Sequence, residues 1–288
     1  MKVLVTGVKG QLGYDVVKRL NLLGIACKGV DIEDFDLTDE AAVLNGICAY
    51  GPDAVVHCAA YTAVDKAEEN RELCYRVNVL GTRNVAMACR EIDAKMIYIS
   101  TDYVFNGQGE TPFAPEDTKE PINYYGETKA RGEDEVTRLL NKYFIVRISW
   151  VFGINGANFV KTMLRLGKEK DELTVVGDQI GSPTYTFDLA VLLCDMLQTE
   201  KYGVYHATNE GLCSWAEFAQ EIMAQAHLNM KIRPILSSEY PAKAKRPYNS
   251  RMSKEKLEQN GFGRLPDWRD ALQRYLSELE KAEEGRNL

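Results

Sequence analysis

A tyrosine and a lysine four residues apart, Tyr125 and Lys129, have the side chains and the spacing of a proton-transfer pair. In a helix this spacing places both side chains on one face. A nearby ammonium favours the tyrosinate, so we expect Lys129 to lower the pKa of Tyr125 from about 10 into the catalytic range. The same spacing occurs by chance on many amphipathic helices, so a catalytic role needs support from the rest of the chain.

A cluster of polar side chains precedes this pair: Thr101, Asp102 and Tyr103. The cluster follows residues 96–100, a short apolar run rich in β-branched and aromatic residues that predicts a strand. Glycines and prolines after the cluster indicate a long loop. We therefore expect the chemistry to lie where one strand ends and a helix begins.

Three glycines near the start of the chain, Gly7, Gly10 and Gly13, predict a phosphate-binding turn. Residues 2–6 form an apolar strand pattern before them, and residues 14–23 form a helical pattern after them. Glycines allow the backbone to approach a pyrophosphate, whose charge meets free N–H groups and the positive end of the helix. This order is typical of a dinucleotide-binding strand–turn–helix unit.

An acidic residue, Asp31, follows the second predicted strand at residues 26–30. A carboxylate at this position can accept hydrogen bonds from an adenosine ribose, and it favours NAD over NADP by repelling a 2′-phosphate. Lys28 is nearby, and an acid here does not always exclude the phosphate, so both cofactors stay open.

Strands and helices alternate regularly, which predicts an α/β fold with a parallel sheet covered by helices on both faces. We expect a Rossmann-type domain over residues 1–150, with some later segments returning to it, and a smaller α/β substrate lobe over 151–288. Ala59 and Ala60 follow a strand at 54–58, where small side chains leave room for a cofactor or serve tight packing. A ligand would bind between the lobes.

Several local signals can be checked directly against a structure. Thr38 is a candidate cap for a helix that ends near residue 50, Ser214 for one at 215–225, and Ser253 for a final helix pair. Residues 232–235 predict an edge strand because Pro234 lies inside them. We expect the charged end at 280–288 to fray.

Composition excludes several classes of protein. The chain has 288 residues, 45% of them hydrophobic, and a net charge of −7 without any basic run, which argues against nucleic-acid binding. Seven scattered cysteines and three histidines show no metal-ligand spacing and indicate a reducing compartment. A strand pattern begins at once and no apolar run approaches a membrane span, so we expect a cytoplasmic protein with no membrane or metal partner.

Three motifs together resemble the extended short-chain dehydrogenase/reductase family. They are Thr6-Gly7-x-x-Gly10-x-x-Gly13, Ser100-Thr101-Asp102-Tyr103 and Tyr125-x-x-x-Lys129. Five further segments, at residues 59–68, 149–151, 158–163, 178–184 and 246–251, are similar to reductases of nucleotide-linked keto-deoxyhexoses. The order of the motifs is the same along nearly the whole chain.

The resemblance implies a catalytic trio: Tyr125 as proton donor to a carbonyl oxygen, Lys129 as its electrostatic partner and ribose contact, and Thr101 as a second contact to the carbonyl. NADPH or NADH would supply the hydride. Besides Tyr125 and Lys129, the implied cofactor-binding residues are Gly7, Gly10, Gln11, Leu12, Gly13, Asp31, Asp36, Leu37, Cys58, Ala59, Ala60, Tyr61, Asn78 and Ser100.

The resemblance also implies a nucleotide-sugar site. Thr62, Asp102, Tyr103 and Trp150 would face the deoxyhexose, and Asn158, Gln179, Thr184, Arg246 and Asn249 would lie in segments that meet the nucleotide. A core role for Trp150 and a surface ion pair for Arg246 are the alternatives. Tyr61 stands where similar enzymes often carry histidine, so contacts to the hexose could differ there.

The implied reaction is reduction of the C4 keto group of dTDP-4-dehydro-6-deoxy-L-mannose to dTDP-L-rhamnose, for cell-surface polysaccharide, by a monomer or homodimer. A nucleotide-sugar epimerase or dehydratase is the nearest alternative, but Tyr103 stands where dehydratases carry the glutamate used in water elimination. A non-catalytic subunit like the regulatory partner of methionine adenosyltransferase is the other alternative. The intact Thr101, Tyr125 and Lys129 count against it.

Overall fold

Strands and helices alternate through the first half of the chain. A computed structural model describes residues 1–284. The strands are β1 (Lys2–Thr6), β2 (Ala26–Val30), β3 (Ala54–His57), β4 (Lys95–Thr101) and β5 (Tyr143–Ile148). The helices are α1 (Gln11–Leu22), α2 (Glu40–Tyr50), α3 (Val64–Glu69), α4 (Arg71–Tyr75), α5 (Thr82–Glu91) and α6 (Tyr124–Leu139), with a π-helical turn at Arg76–Gly81 and a 3₁₀ turn at Asp102–Val104.

The second half has shorter strands. These are β6 (Val151–Phe152), β7 (Glu172–Val176), β8 (Ile180–Gly181), β9 (Thr184–Tyr185), β10 (Gly203–His206), β11 (Asn209–Glu210), β12 (Cys213–Ser214), β13 (Lys231–Ile235) and β14 (Leu265–Asp267). The helices are α7 (Phe159–Glu169), α8 (Thr186–Leu197), α9 (Trp215–Gln225), α10 (Glu255–Gln259) and α11 (Trp268–Glu284), with a 3₁₀ turn at Ser237–Glu239.

Six parallel strands form one sheet in the order β10, β5, β4, β3, β1, β2. Strand order reverses between β1 and β3, so the carboxyl ends of these strands flank a crevice, the usual ligand site of such sheets. The predicted Rossmann-type fold is confirmed. β10 returns to the sheet from the second half of the chain, while the division near residue 150 stays a prediction.

Apolar side chains cover both faces of the sheet and fill the second lobe. One cluster joins β1, β3 and β5 to α1 and α8, with Val16 and Leu193 fully buried. On the opposite face, Ile47 and Val136 pack α2 and α6 onto the strands. A third cluster centred on Phe218 joins α7, α9 and α11. β3 is buried along its whole length, as a strand covered on both faces should be.

Two of the predicted helix caps are wrong and one is confirmed. Helix α2 begins after Asp39, whose carboxylate accepts the Ala42 N–H, while the Thr38 hydroxyl accepts from Arg76. Ser214 caps α9 and forms a capping box with Glu217. Helix α10 begins after Lys254 without a side-chain cap, so Ser253 does not serve this role.

The predicted strand at 232–235 is confirmed as β13, which pairs with β7 in a two-stranded sheet that has room for Pro234 at an edge. Residues 280–284 of the segment predicted to fray belong to α11, so their fraying stays a prediction, and residues 285–288 lie outside the described residues. No described helix has the length and apolar content needed to cross a membrane. Within residues 1–284, no group of three acidic, histidine or cysteine side chains is placed to hold a metal ion.

Candidate active site

Helix α6 places Tyr125 and Lys129 one turn apart near its start. Asn123 caps the helix by accepting the Gly126 N–H at 2.8 Å. A Cβ at Gly126 would lie 2.1 Å from the carbonyl oxygen of Tyr103, so only glycine lets the helix approach the end of β4 this closely. The predicted meeting of a strand end and a helix start is therefore confirmed.

Tyr125 is partly exposed in this crevice. Its ring meets that of Tyr103 edge-on, with centroids 5.8 Å apart. Desolvation by the surrounding protein and the charge of Asp102 raise the pKa of Tyr125, and a hydrogen bond with Thr101 acts in the opposite direction. The expectation that Lys129 lowers this pKa is therefore wrong for the protein alone. A phenol that stays protonated at neutral pH can donate a proton.

Lys129 is almost fully buried. Only 2% of it is exposed, and its Nζ lies 4.0 Å from the centroid of the Tyr98 ring. Burial lowers the pKa of Lys129 to about 7, although Glu133 and the thiols of Cys58 and Cys74 oppose this. The lysine therefore titrates near neutral pH, where a small change in its surroundings changes its charge.

Thr101, Asp102 and Ser250 form a hydrogen-bonded chain beside the phenol. The Thr101 hydroxyl donates to Asp102 at 2.9 Å, and the Ser250 hydroxyl donates to its second oxygen at 2.5 Å. Burial raises the pKa of Asp102 to about 6 despite these bonds. Asp102 is 4% exposed, so it acts on a ligand mainly through Thr101 and through its charge.

A buried ion pair connects the catalytic helix α6 to strand β5. The Ser100 hydroxyl donates to Glu133 at 2.6 Å, and Arg147 donates to both Glu133 oxygens at 2.8 Å. Ser100 therefore faces α6, and only its backbone remains for a cofactor. We did not single out Glu133 from the sequence, although it stands one turn after Lys129 on the same face, a spacing that could have revealed it.

The glycine turn fits a pyrophosphate. Gly7 has φ of 71°, and a Cβ there would lie 2.7 Å from the Ala59 nitrogen. A Cβ at Gly13 would lie 2.4 Å from the Gly7 oxygen. Side chains at these positions would collide with the protein backbone, so only glycine lets the turn close this tightly. Helix α1 begins after Gly10 without a side-chain cap or an acid in its first turn, so the residues present fit the predicted pyrophosphate.

The predicted cofactor-binding residues around this turn differ in the contacts that they already make within the protein. Asp31 accepts the Lys9 N–H at 2.9 Å, which ties the glycine turn to the end of β2. Leu12 is 6% exposed in the core, so only its backbone faces the turn. Asp36 accepts the Thr38 N–H at 2.8 Å, and the Leu37 oxygen accepts from Asn84 at 2.9 Å.

Asn78 fixes the segment that follows β3. Its amide accepts the Tyr61 N–H at 2.7 Å and donates to the Tyr61 oxygen at 3.1 Å and to Thr128 at 3.0 Å. The Ala59 N–H donates to the Thr6 hydroxyl at 3.2 Å. Asn78 thus positions residues 58–62, including Ala60 and a Cys58 thiol whose pKa burial raises to about 12.

Trp150 and Trp215 form a stacked pair in the second lobe. Their ring centroids are 3.9 Å apart, and Trp150 has the left-handed φ of 49°. Trp150 is partly exposed and also packs against the third core cluster, so the predicted ligand contact and the core role both stay open. We did not single out Trp215, and no local signal links it to Trp150. Thr62 is exposed, and Gln179 is 5% exposed.

Three predicted nucleotide-contact residues are engaged within the protein. Thr184 is fully buried, and its hydroxyl donates to the Ser149 oxygen at 2.7 Å. Asn249 is 1% exposed and donates to the oxygens of Gln108 and Thr111. Asn158 caps α7 and donates to Gln11 at 3.1 Å. These three side chains are held by contacts within the protein, and their contact with a nucleotide stays a prediction.

Arg246 lies close to the catalytic residues. Its guanidinium donates to Asp65 at 2.7 Å and 3.3 Å. Its charge acts against the burial that raises the pKa of Tyr103, whose ring contacts that of Tyr125. The ion-pair alternative for Arg246 is thus observed, in a place where the guanidinium can also meet a ligand.

Comparisons with known proteins settle the family. The model of the RmlD substrate binding domain matches residues 1–281. The chain belongs to the RmlD substrate binding domain family. The resemblance to extended short-chain dehydrogenases/reductases is thereby confirmed.

Other members of the family are similar over nearly their full length. The chain is 40% identical to the spore coat polysaccharide biosynthesis protein SpsK of Bacillus subtilis (strain 168), over 98% of this chain and 99% of that protein. It is 37% identical to dTDP-4-dehydrorhamnose reductase of Escherichia coli (strain K12), over 97% of this chain and 98% of that protein. The crystal structure of dTDP-4-dehydrorhamnose reductase from Bacillus anthracis in complex with NADP is similar to this protein with a TM-score of 0.94. The two sequences are 44% identical, and the match covers 96% of this chain and 100% of that chain.

Proposed function

We propose that this protein uses NADH or NADPH to reduce the C4 keto group of dTDP-4-dehydro-6-deoxy-L-mannose, which gives dTDP-L-rhamnose. One observation carries the proposal: the phenol of Tyr125 stays protonated beside the Thr101 hydroxyl, one helical turn from a buried lysine. The relatives named as dTDP-4-dehydrorhamnose reductases, at 36–40% identity, support this substrate class.

The catalytic residues would manage the proton and the developing negative charge. Tyr125 donates a hydrogen bond to the keto oxygen and passes its proton to that oxygen as the alcohol forms. The Thr101 hydroxyl, which donates to Asp102 in the structure, would turn to donate to the same keto oxygen. The Lys129 ammonium stabilises the resulting phenolate, which then regains a proton from solvent. Such proton transfer contributes about 10²- to 10⁴-fold in rate. When bound, the nicotinamide supplies the hydride that reaches C4.

The second lobe would hold the nucleotide sugar. We assign Thr62, Tyr103 and Trp150 to the deoxyhexose, and Gln179 and Arg246 to the nucleotide half. A guanidinium can pair bidentately with a diphosphate, which suits Arg246 to that half. Asp102, Asn158, Thr184 and Asn249 would act by holding these segments in place. The net charge of −7 supports the absence of a nucleic-acid partner, and the free thiols support a reducing compartment such as the cytoplasm. A monomer or homodimer without a membrane partner rests on the resemblance alone.

Substitution of Tyr125 by phenylalanine tests the proposal. Tyr125→Phe removes the donated proton and keeps the ring, so we expect kcat to fall at least 100-fold, in line with the usual contribution of general acids, with cofactor affinity retained. Oxidation of NADH and NADPH is followed at saturating keto sugar.

Tyr124→Phe is the matched control, because Tyr124 is next to Tyr125 on α6 and its ring contacts Arg71. This control should keep normal turnover. Unchanged turnover in Tyr125→Phe would refute the assigned acid. Tightly retained NAD with no consumption of added NADH or NADPH by the unmodified protein would instead favour an epimerase or dehydratase.

A further inference from the structure

Four residues of the second lobe, Lys243 to Arg246, lie against helix α3 and are called the strap here. The N–H of Ala244 donates to Asp65 at 3.0 Å, and Arg246 donates to both oxygens of the same carboxylate. Lys243 forms an ion pair with Glu69 on the same helix. Three of the four strap residues therefore contact α3.

Asp65 is the centre of these contacts. The Asp65 and Arg246 side chains are 42% and 24% exposed, so the pair lies at the rim of the crevice and not in the core. Although burial acts in the opposite direction, the bonds from Arg246 and Ala244 lower the pKa of Asp65. The carboxylate is thus charged at neutral pH and holds both the backbone and the guanidinium of the strap.

The strap also contacts the start of the catalytic helix. Asn123 caps α6 through its oxygen, and its Nδ2 donates to the Lys245 oxygen at 2.8 Å. On the same side, Glu68 of α3 accepts the Tyr124 N–H at 2.8 Å. Helix α3, the strap and the first turn of α6 are therefore connected through polar side chains.

The end of the strap points toward the reacting groups. The Arg246 charge acts on the pKa of the Tyr103 phenol, so the two groups are neighbours, and the Tyr103 ring contacts the ring of Tyr125. A guanidinium presents five donors, and the two hydrogen bonds to the Asp65 carboxylate leave donors for another anion. Its position next to Tyr103 is suited to the diphosphate of a substrate whose sugar reaches Tyr125.

We propose that Asp65 is a positioning residue that holds the strap on α3 and so presents Arg246 to the diphosphate of the nucleotide sugar. This inference rests on the proposed function. Asp65 touches neither the substrate nor the cofactor, and it acts through Arg246. Without Asp65 the Arg246 guanidinium samples other orientations. Ligand binding then also has to overcome the entropy cost of ordering this side chain.

The isosteric change Asp65→Asn removes the charge and one acceptor. We expect the Kd for dTDP, measured by calorimetry on the full chain, to rise about tenfold, as for the loss of a hydrogen bond between charged groups. The KM for the keto sugar should rise in parallel, while kcat and the KM for NADH stay within about twofold.

A double-mutant cycle separates this role from a structural one, because coupled residues are not additive. Arg246→Gln alone should weaken dTDP binding, and Asp65→Asn should add less than twofold in that background. Glu72→Gln is the control, since Glu72 is an exposed acid on the neighbouring helix α4 and should leave dTDP binding unchanged.

The inference is overturned if Asp65→Asn leaves the Kd for dTDP unchanged, or if it weakens binding equally in the Arg246→Gln background. It is also overturned if kcat and the KM for NADH change together with the Kd, because that pattern indicates a general structural defect. Failure of the unmodified protein to bind dTDP at all would instead contradict the proposed function on which the inference rests.

Discussion

The catalytic side chains illustrate how burial sets protonation. Lys129 is 2% exposed, and burial lowers its pKa to about 7, whereas the same effect and the Asp102 charge keep the Tyr125 phenol protonated. The spacing of the two residues is visible in the sequence. The pKa directions are not, because they depend on how much water each side chain loses in the fold.

A buried ammonium with a lowered pKa should cost stability. A lysine with a folded pKa of about 7 and an unfolded value of about 10.4 destabilises the protein fully below pH 7, and this cost fades as pH rises toward about 10.4. We expect Lys129→Met to unfold at a higher temperature than the unmodified protein at pH 7, with the difference smaller at pH 10. Differential scanning fluorimetry at both pH values provides the measurement.

The matched control for this stability measurement is Lys170→Met, because Lys170 is exposed at the end of α7. This change should leave the unfolding temperature nearly unchanged at both pH values. A lower unfolding temperature for Lys129→Met at pH 7 would show that the contact with Tyr98 outweighs the cost of the buried charge.

At the scale of elements, local patterns predicted most helices and strands, because periodicity and caps are short-range properties. Residues 2–6 and 26–30 were predicted as strands with the bounds that the structure shows. The cap of α2 was assigned to Thr38 when Asp39 provides it. Both residue types are good caps, so only the backbone conformation decides between neighbours.

The turn after β2 carries a prediction about cofactor choice. Lys9 is paired with Glu33 at 2.5 Å, and Asp31 and Asp34 stand in the same turn. Lys28 lies 5.9 Å from the centroid of the Tyr50 ring, away from this turn. The 2′-phosphate of NADPH would lie near the carboxylates of Asp31 and Asp34 and near Lys9, whose ammonium is already paired with Glu33. We therefore expect a preference for NADH.

Glu33→Gln would free Lys9 for the 2′-phosphate. We expect the ratio of kcat/KM for NADPH to that for NADH to rise roughly threefold to tenfold, and the change to shrink at high salt because these charges are exposed. Steady-state kinetics with both cofactors provides the measurement. Glu40→Gln, an acid at the start of α2, is the control. An unchanged ratio in Glu33→Gln would contradict the account.

At the scale of the whole molecule, the limits of sequence reasoning are contacts between distant segments. Asp65 and Arg246 are 181 positions apart, and Trp150 and Trp215 meet from different elements. No local pattern predicts such pairs. The Thr184 and Asn249 side chains donate to backbone oxygens of distant segments, which the sequence does not reveal, and their contact with a nucleotide stays a prediction.

The fold as a whole brings a cofactor crevice, a protonated phenol and a positioned guanidinium to one edge of the sheet. Such an arrangement suits hydride transfer from a bound nicotinamide to a keto sugar, with the proton supplied by Tyr125. An epimerase or dehydratase takes a hydride from its substrate and returns it to the same molecule, so its cofactor is regenerated. A reductase instead transfers a hydride from the added cofactor to the sugar and releases that cofactor in the oxidised form.

Isotope transfer tests this central claim most directly. The protein is incubated with dTDP-4-dehydro-6-deoxy-L-mannose and NADH or NADPH that carries deuterium at both C4 positions of the nicotinamide, and the sugar product is examined by mass spectrometry and NMR. We predict dTDP-L-rhamnose with one deuterium at C4 and one oxidised cofactor for each product molecule. An unlabelled sugar product formed without cofactor oxidation would contradict the account.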